Sequence, residues 1–180
     1  AGSSDSGNTL QKVPGLQGPI DDVWMEPFIV VTPSGSGINP SIDQWVRFEL
    51  NHLIERWRLL FRGDVRIKRD TEITQEDMNS NHLVLWGDPQ SNCLIGRLSG
   101  LLPIRWEKNT LVVQNQNYNT QTHIPVMIYP NLLMKTPSRY VVLNSGMTFR
   151  EGHDRTNSLQ NPKLPDWAII DITLPPDRLK

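Results

Sequence analysis

The chain has 180 residues, a formal net charge of -1, 37% hydrophobic and 21% charged residues. That length and apolar content suit one domain with its own core and exclude a chain disordered throughout. The near-neutral balance leaves no global field for nucleic acid or anionic lipid, no apolar run approaches the ~18 residues of a membrane-spanning helix, and the single cysteine, Cys93, excludes an internal disulfide framework or a cysteine-based zinc cluster without deciding the compartment.

Residues 1–12 are small, polar and aperiodic, and read as a linker or the cut edge of something longer; an apolar signal-peptide centre is missing from them. Residues 13–180 read as a single α/β domain. Its first ten residues are rich in Gly and Pro and predict an irregular extended path. Phe28–Thr32 is a β-rich run ended by Pro33-Ser34-Gly35-Ser36-Gly37. A long helix follows, capped by Asn39 with Pro40 in its first turn, or by Ser41 with Gln44 three residues on. Ile42, Trp45, Val46, Leu50, Leu53, Ile54, Trp57, Leu60 and Phe61 recur at three- and four-residue steps, and Arg56, Arg58 and Arg62 suit the negative helix end before Gly63.

Val65–Lys68 alternates like a half-buried strand, Thr74 and Asp77 open a short helical turn, and His82–Trp86 is a strand stopped by Gly87-Asp88-Pro89. Asp88 with Pro89 predicts the start of a third helix, buried through Leu94, Ile95, Leu98, Leu101 and Leu102. Alternating strands and helices predict a doubly wound, mostly parallel sheet of flavodoxin or Rossmann type with helices on both faces. The second half is hairpin-rich, with short β runs at 104–106, 111–113, 126–129 and 140–143, and a last strand over 167–172. The polar stretch 144–166 is long enough to be functional or an inter-domain surface.

In an open α/β sheet, ligands bind outside the carboxyl ends of the strands. That rule selects three loops: Ser34, Gly35, Ser36 and Gly37; Gly87, Asp88, Ser91 and Asn92; and Asn144 and Ser145. Two of them adjoin helix starts at Asn39 and Asp88, where free backbone N–H groups would favour an anion. The competing reading makes these residues turns and caps only. Neither the dinucleotide fingerprint nor the phosphate-binding loop occurs, and no cofactor is expected. A Gly-x-Ser-x-Gly elbow is also missing, so serine chemistry would need Ser145 with His153 and Asp154, or Ser36 with His153. Adjacent His153 and Asp154 diverge and orient one another poorly. No catalytic residue is therefore assigned.

His52, His82 and His123 are scattered without metal-ligand spacing and read as structural; no metal site is expected. His153 differs because Arg150, Glu151, Asp154, Arg155 and Asn157 crowd it, either as a self-satisfied polar loop or as an interface. The basic residues between Arg56 and Arg69 read as a solvated helix end and strand face, with an acidic-partner surface as the lesser reading.

Four strings carry a resemblance: 12–22 (KVPGLQGPIDD), 83–92 (LVLWGDPQSN), 138–146 (SRYVVLNSG) and 153–167 (HDRTNSLQNPKLPDW). Together they make residues 12–175 resemble the C-terminal region of exported bacterial serine hydrolases related to prolyl oligopeptidases and acetyl xylan esterases. The resemblance implies a secreted or periplasmic parent whose catalytic α/β-hydrolase domain precedes this region and is its partner. The strings bring no catalytic role with them. The expected function is a non-catalytic accessory domain packing on that catalytic domain, with no nucleic-acid or membrane partner. The alternatives are a small-ligand module using the three strand-end loops, and an esterase with an unorthodox site.

Overall fold

Three continuous apolar runs decide the architecture: Ile29-Val30-Val31, Leu83-Val84-Leu85 and Val141-Val142-Leu143, each fully buried. Successive side chains of a strand point to opposite faces, so burial of every residue means that both faces are covered, as parallel strands require. The computed structural model describes residue 16, residues 18–147 and residues 166–174. It sets these runs side by side in a six-stranded sheet.

With strands numbered along the chain, the order is β2 (Ile67–Arg69), β1 (Phe28–Thr32), β3 (His82–Leu85), β8 (Tyr140–Leu143), β7 (His123–Pro130) and β9 (Trp167–Asp171). The first four run parallel, with Val30 opposite both Ile67 and Val84, and Val84 opposite Val142. β7 lies antiparallel to β8, and β9 antiparallel to β7. A second, antiparallel sheet joins β4 (Ile104–Trp106), β5 (Thr110–Val113) and β6 (Gln116–Asn119). Here burial alternates: Ile104, Trp106, Leu111 and Val113 are buried while Arg105 is exposed, the pattern of strands packed on one face. The fold is thus mixed α/β, with a mostly parallel six-stranded sheet and a small antiparallel one.

Helix α1 (Pro40–Phe61) begins at the Asn39 cap, whose Oδ1 accepts the Ile42 N–H at 3.0 Å. The same side chain donates through Nδ2 to the Thr120 carbonyl at 2.9 Å, tying the helix start to the β6–β7 connection. Ile42, Val46 and Leu53 are buried. The helix closes at Arg62, which takes the left-handed conformation (φ 55°) one residue before Gly63. Phe61 has by then rotated out of the buried stripe; it is 55% exposed and rests on Trp57 with ring centroids 4.4 Å apart. Helix α2 (Gln75–Ser80) opens with a reciprocal cap between Thr74 and Asp77.

Four expectations are corrected. Residues Ile20–Met25 form a 3-10 helix instead of an extended path, because Ile20 and Val23 drop into the core from one face of the turn. Helix α3 spans Cys93–Leu98, capped by Asn92 and not by Asp88, whose carboxylate is drawn into a turn and away to another loop. It ends early, so Leu101 is 51% exposed. Gln116–Asn119, which falls between the expected β runs 111–113 and 126–129, is the polar strand β6, held by register with β5 across a two-residue turn in which Gln114 has φ 55°. The expected linker over residues 1–12 and most of the polar stretch lie outside the described residues.

Candidate functional site

All four parallel strands end at one edge of the sheet, and the chain leaves that edge in opposite directions. From β1 it passes through α1 to β2 on one side; from β3 it passes through α3 and the small sheet to β7 and β8 on the other. The loops after β1, β3 and β8 consequently meet. Gly35 N–H donates to the Ser91 carbonyl at 2.9 Å, and the Gln90 amide donates to the carbonyls of Ser36 and Gly37 at 3.2 Å each. Asn144 joins the third loop, accepting the Gly87 N–H at 2.8 Å and donating to the Gly87 carbonyl at 2.9 Å.

Gly87 has φ 112°, and a Cβ there would stand 2.5 Å from Ser91 Oγ. Only glycine fits this corner without displacing its neighbours. Asn144 is itself left-handed (φ 50°), a conformation that a short polar side chain bonding locally tolerates best.

The donors expected to be open to an anion are taken by the chain's own carboxylates. Asp88 is fully buried; its Oδ1 accepts the N–H groups of Gln90 and Ser91 at 2.8 and 2.9 Å, and its Oδ2 accepts Ile38 N–H at 2.6 Å. Asp43, in the first turn of α1, accepts Gly37 N–H through both oxygens at 2.9 and 3.1 Å. The start of the long helix is therefore already neutralised from within.

The hydroxyls are similarly engaged. Ser91 Oγ accepts the Asp88 N–H at 2.9 Å, and Ser145 Oγ donates to the Gly146 carbonyl at 3.0 Å. Asn92 spans the turn and the helix, donating to the Trp86 carbonyl at 2.9 Å while its Oδ1 caps Leu94 and Ile95. Gly87, Asp88, Ser91, Asn92, Asn144 and Ser145 are buried, Gly37 is half-buried, and Ser34, Gly35 and Ser36 are exposed. Arg150, His153, Asp154 and Arg155 lie outside the described residues, as do the triads that would use His153.

Two carboxylates of this edge, Asp43 and Asp70, were not singled out by the sequence. Asp70 follows β2 directly, and that position at a parallel strand's carboxyl end is the signal that could have found it. It is 2% exposed and accepts the Cys93 N–H at 2.6 Å and the Thr71 N–H at 3.0 Å. Burial pushes its carboxyl up, but these N–H groups together with the Ser34 hydroxyl and the Cys93 thiol outweigh that and hold it below its ordinary value. Partial burial and then Asp70 push the Cys93 thiol up in turn. Ser34 and Cys93, both exposed, thus cover the buried Asp70 carboxylate at this edge.

His82 is buried at the opposite edge, and His123 pairs with the Thr122 hydroxyl at 2.8 Å. Among the described residues no group of three or more His, Cys, Asp or Glu side chains is placed to hold a metal ion. No described helix is long and apolar enough to cross a membrane. Comparison with protein-family models, with curated proteins and with solved structures gives no significant match for this chain.

Proposed function

We propose that this chain is a non-catalytic accessory domain of a larger secreted or periplasmic serine hydrolase of esterase or peptidase type, packed on the catalytic α/β-hydrolase domain of the same parent. The observation that carries this reading is the occupancy of the carboxyl edge. Where an α/β sheet ordinarily receives its ligand, Asp88, Asp43 and Asn144 consume the donors of the three loops. A site built for substrate leaves such groups open; a scaffold closes them. The four strings resembling hydrolase C-terminal regions supply the parent. We further read the large sheet as doubly wound, which the complete burial of consecutive residues in β1, β3 and β8 supports.

The 180-residue chain is to be assayed with p-nitrophenyl acetate, acetylated xylan and a prolyl peptide, and its gene read upstream of residue 1. The expected result is no turnover and an upstream hydrolase domain with a Gly-x-Ser-x-Gly elbow. Turnover abolished by Ser145→Ala or Ser36→Ala would overturn the proposal. The second reading, a small-ligand module, draws on the exposed face formed by Ser34, Gly35 and Ser36 beside Asp70 and Cys93. A ligand that raises the melting temperature of wild type, with the shift lost in Asp70→Asn, would favour it.

A further inference from the structure

At the amino edge of the sheet, one buried histidine connects the central strands to the segment crossing them. His82, the first residue of β3, is 2% exposed. Its Nδ1 accepts the backbone N–H of Tyr140, the first residue of β8, at 2.9 Å, so the neutral ring carries its proton on Nε2. The imidazole lies against the Tyr140 ring, with centroids 5.1 Å apart. The Tyr140 hydroxyl accepts the Gly18 N–H at 3.0 Å and donates to Asp22 at 3.4 Å. Both belong to the strap over residues 18–26, which buries Ile20 and Val23 completely. At its far end Glu26 pairs with Arg139 and stands 3.8 Å from His82 Nε2. One end of the strap is therefore tied to Tyr140, which touches His82, and the other sets Glu26 beside the ring itself.

We propose that His82 is an acid-sensitive latch: a proton on Nδ1 displaces the Tyr140 N–H and releases the strap over residues 18–26 while the large sheet stays folded. In the neutral ring Nδ1 is the only nitrogen able to take a second proton, and a backbone donor already faces it. Protonation sets N–H against N–H, so the ring must turn or the first residue of β8 must move. Tyr140 carries the hydroxyl that holds Gly18 and Asp22, and the strap is lost with it. Burial opposes the charged ring most strongly, Glu26 favours it and Arg139 opposes it, which leaves the closed form titrating at about 4. The other carboxylates at the strap are Asp21 and Asp22, both in its first turn and the second on the Tyr140 hydroxyl, and Asp166, packed against Gly18.

Hydrogen exchange of the full chain, followed by mass spectrometry at pH 7 and pH 5 and corrected for intrinsic rates, tests the latch. Strap amides are expected to exchange faster than those of β1 and β3 at both pH values. Their opening should rise roughly 25-fold on acidification, for a ring titrating near 6.5 when open and near 4 when closed. His82→Gln keeps an acceptor for Tyr140 but cannot titrate, and is expected to cut the response below about threefold. A response that survives in His82→Gln assigns the effect to Asp21, Asp22, Glu26 or Asp166 and overturns the proposal; so does equal protection of strap and strands. If His82→Gln does not fold, Tyr140→Phe serves: it keeps the N–H on His82, frees the strap at pH 7 and should lose the pH response. An undiminished response there breaks the link between ring and strap.

Discussion

Asn144 holds Gly87 by both of its backbone polar groups, with Oδ1 on the N–H at 2.8 Å and Nδ2 on the carbonyl at 2.9 Å, across a sequence separation of 57 residues. This pair closes the ends of β3 and β8 in the manner of an extra ladder rung made by a side chain. Both residues have positive φ, so the clamp joins two corners that ordinary residues fill poorly.

Replacing Asn144 by Ala leaves the buried N–H and carbonyl of Gly87 without partners and places a Cβ-bearing residue with no compensating local bond at φ 50°. The expected loss is about 3–4 kcal/mol, read as the change in urea-unfolding free energy. Asn144→Asp should lose a comparable amount, because its second oxygen then faces the Gly87 carbonyl. A cost under ~1 kcal/mol for both would show that the clamp is incidental.

Asp77 gives the chain an acid dependence of predictable sign. Burial pushes its carboxyl up, but Lys68, with Nζ at 2.7 and 2.8 Å, and the Thr74 N–H and hydroxyl outweigh burial and hold it at about 2. The folded value lies below the ordinary 3.8, so the unfolded chain takes the proton first. The contribution is complete above the unfolded value and is lost as pH falls through the folded one; it amounts to about 2 kcal/mol. Asp77→Asn should therefore be clearly less stable than wild type at pH 6, with the gap closing towards pH 2. Urea midpoints that stay parallel over that range would refute the assignment.

Cys93 should be a slow thiol in spite of its exposure. Its thiolate is disfavoured by partial burial and by the Asp70 carboxylate hydrogen-bonded to it. Alkylation by iodoacetamide at pH 8 is expected to run slower than that of a free cysteine peptide, and Asp70→Asn should accelerate it by roughly threefold or more. An unchanged rate would mean that burial alone governs the sulfur.

The accessory-domain proposal makes its own demand on residues 144–161. Replacing Arg150, His153 and Arg155 by Ala should weaken association with a separately expressed catalytic domain of the parent, about tenfold or more by calorimetry, since polar interface groups act mainly on binding. Circular dichroism should stay that of wild type. Equal affinity would return this charged stretch to a self-satisfied loop.

Much of the frame was legible because its causes are local. Asn39 followed by Pro40 caps and starts α1 within four residues, and the three- and four-residue apolar steps from Ile42 to Leu53 choose its buried face. The alternation of β-rich and helical stretches between Phe28 and Leu102 pointed to a mostly parallel sheet whose carboxyl ends gather the loops after β1, β3 and β8, although β8 itself, placed among the hairpins by its sequence, joins that sheet parallel to β3.

What the tertiary structure alone decided turns on partners far away in the chain. Asp88 before Pro89 looks like a helix cap, but its second oxygen is claimed by Ile38, 50 residues earlier, and the helix waits for Asn92. Gln116–Asn119 has no apolar pattern of its own and becomes a strand through its register with β5. Gly35, Gly37 and Gly87 read as open donors until folding brings Ser91, Asp43 and Asn144 against them. Capping and periodicity act within a turn of helix or a few strand residues, so sequence carries them; competition for a buried carboxylate is settled only when distant loops meet, because each such group must find a partner once water is excluded.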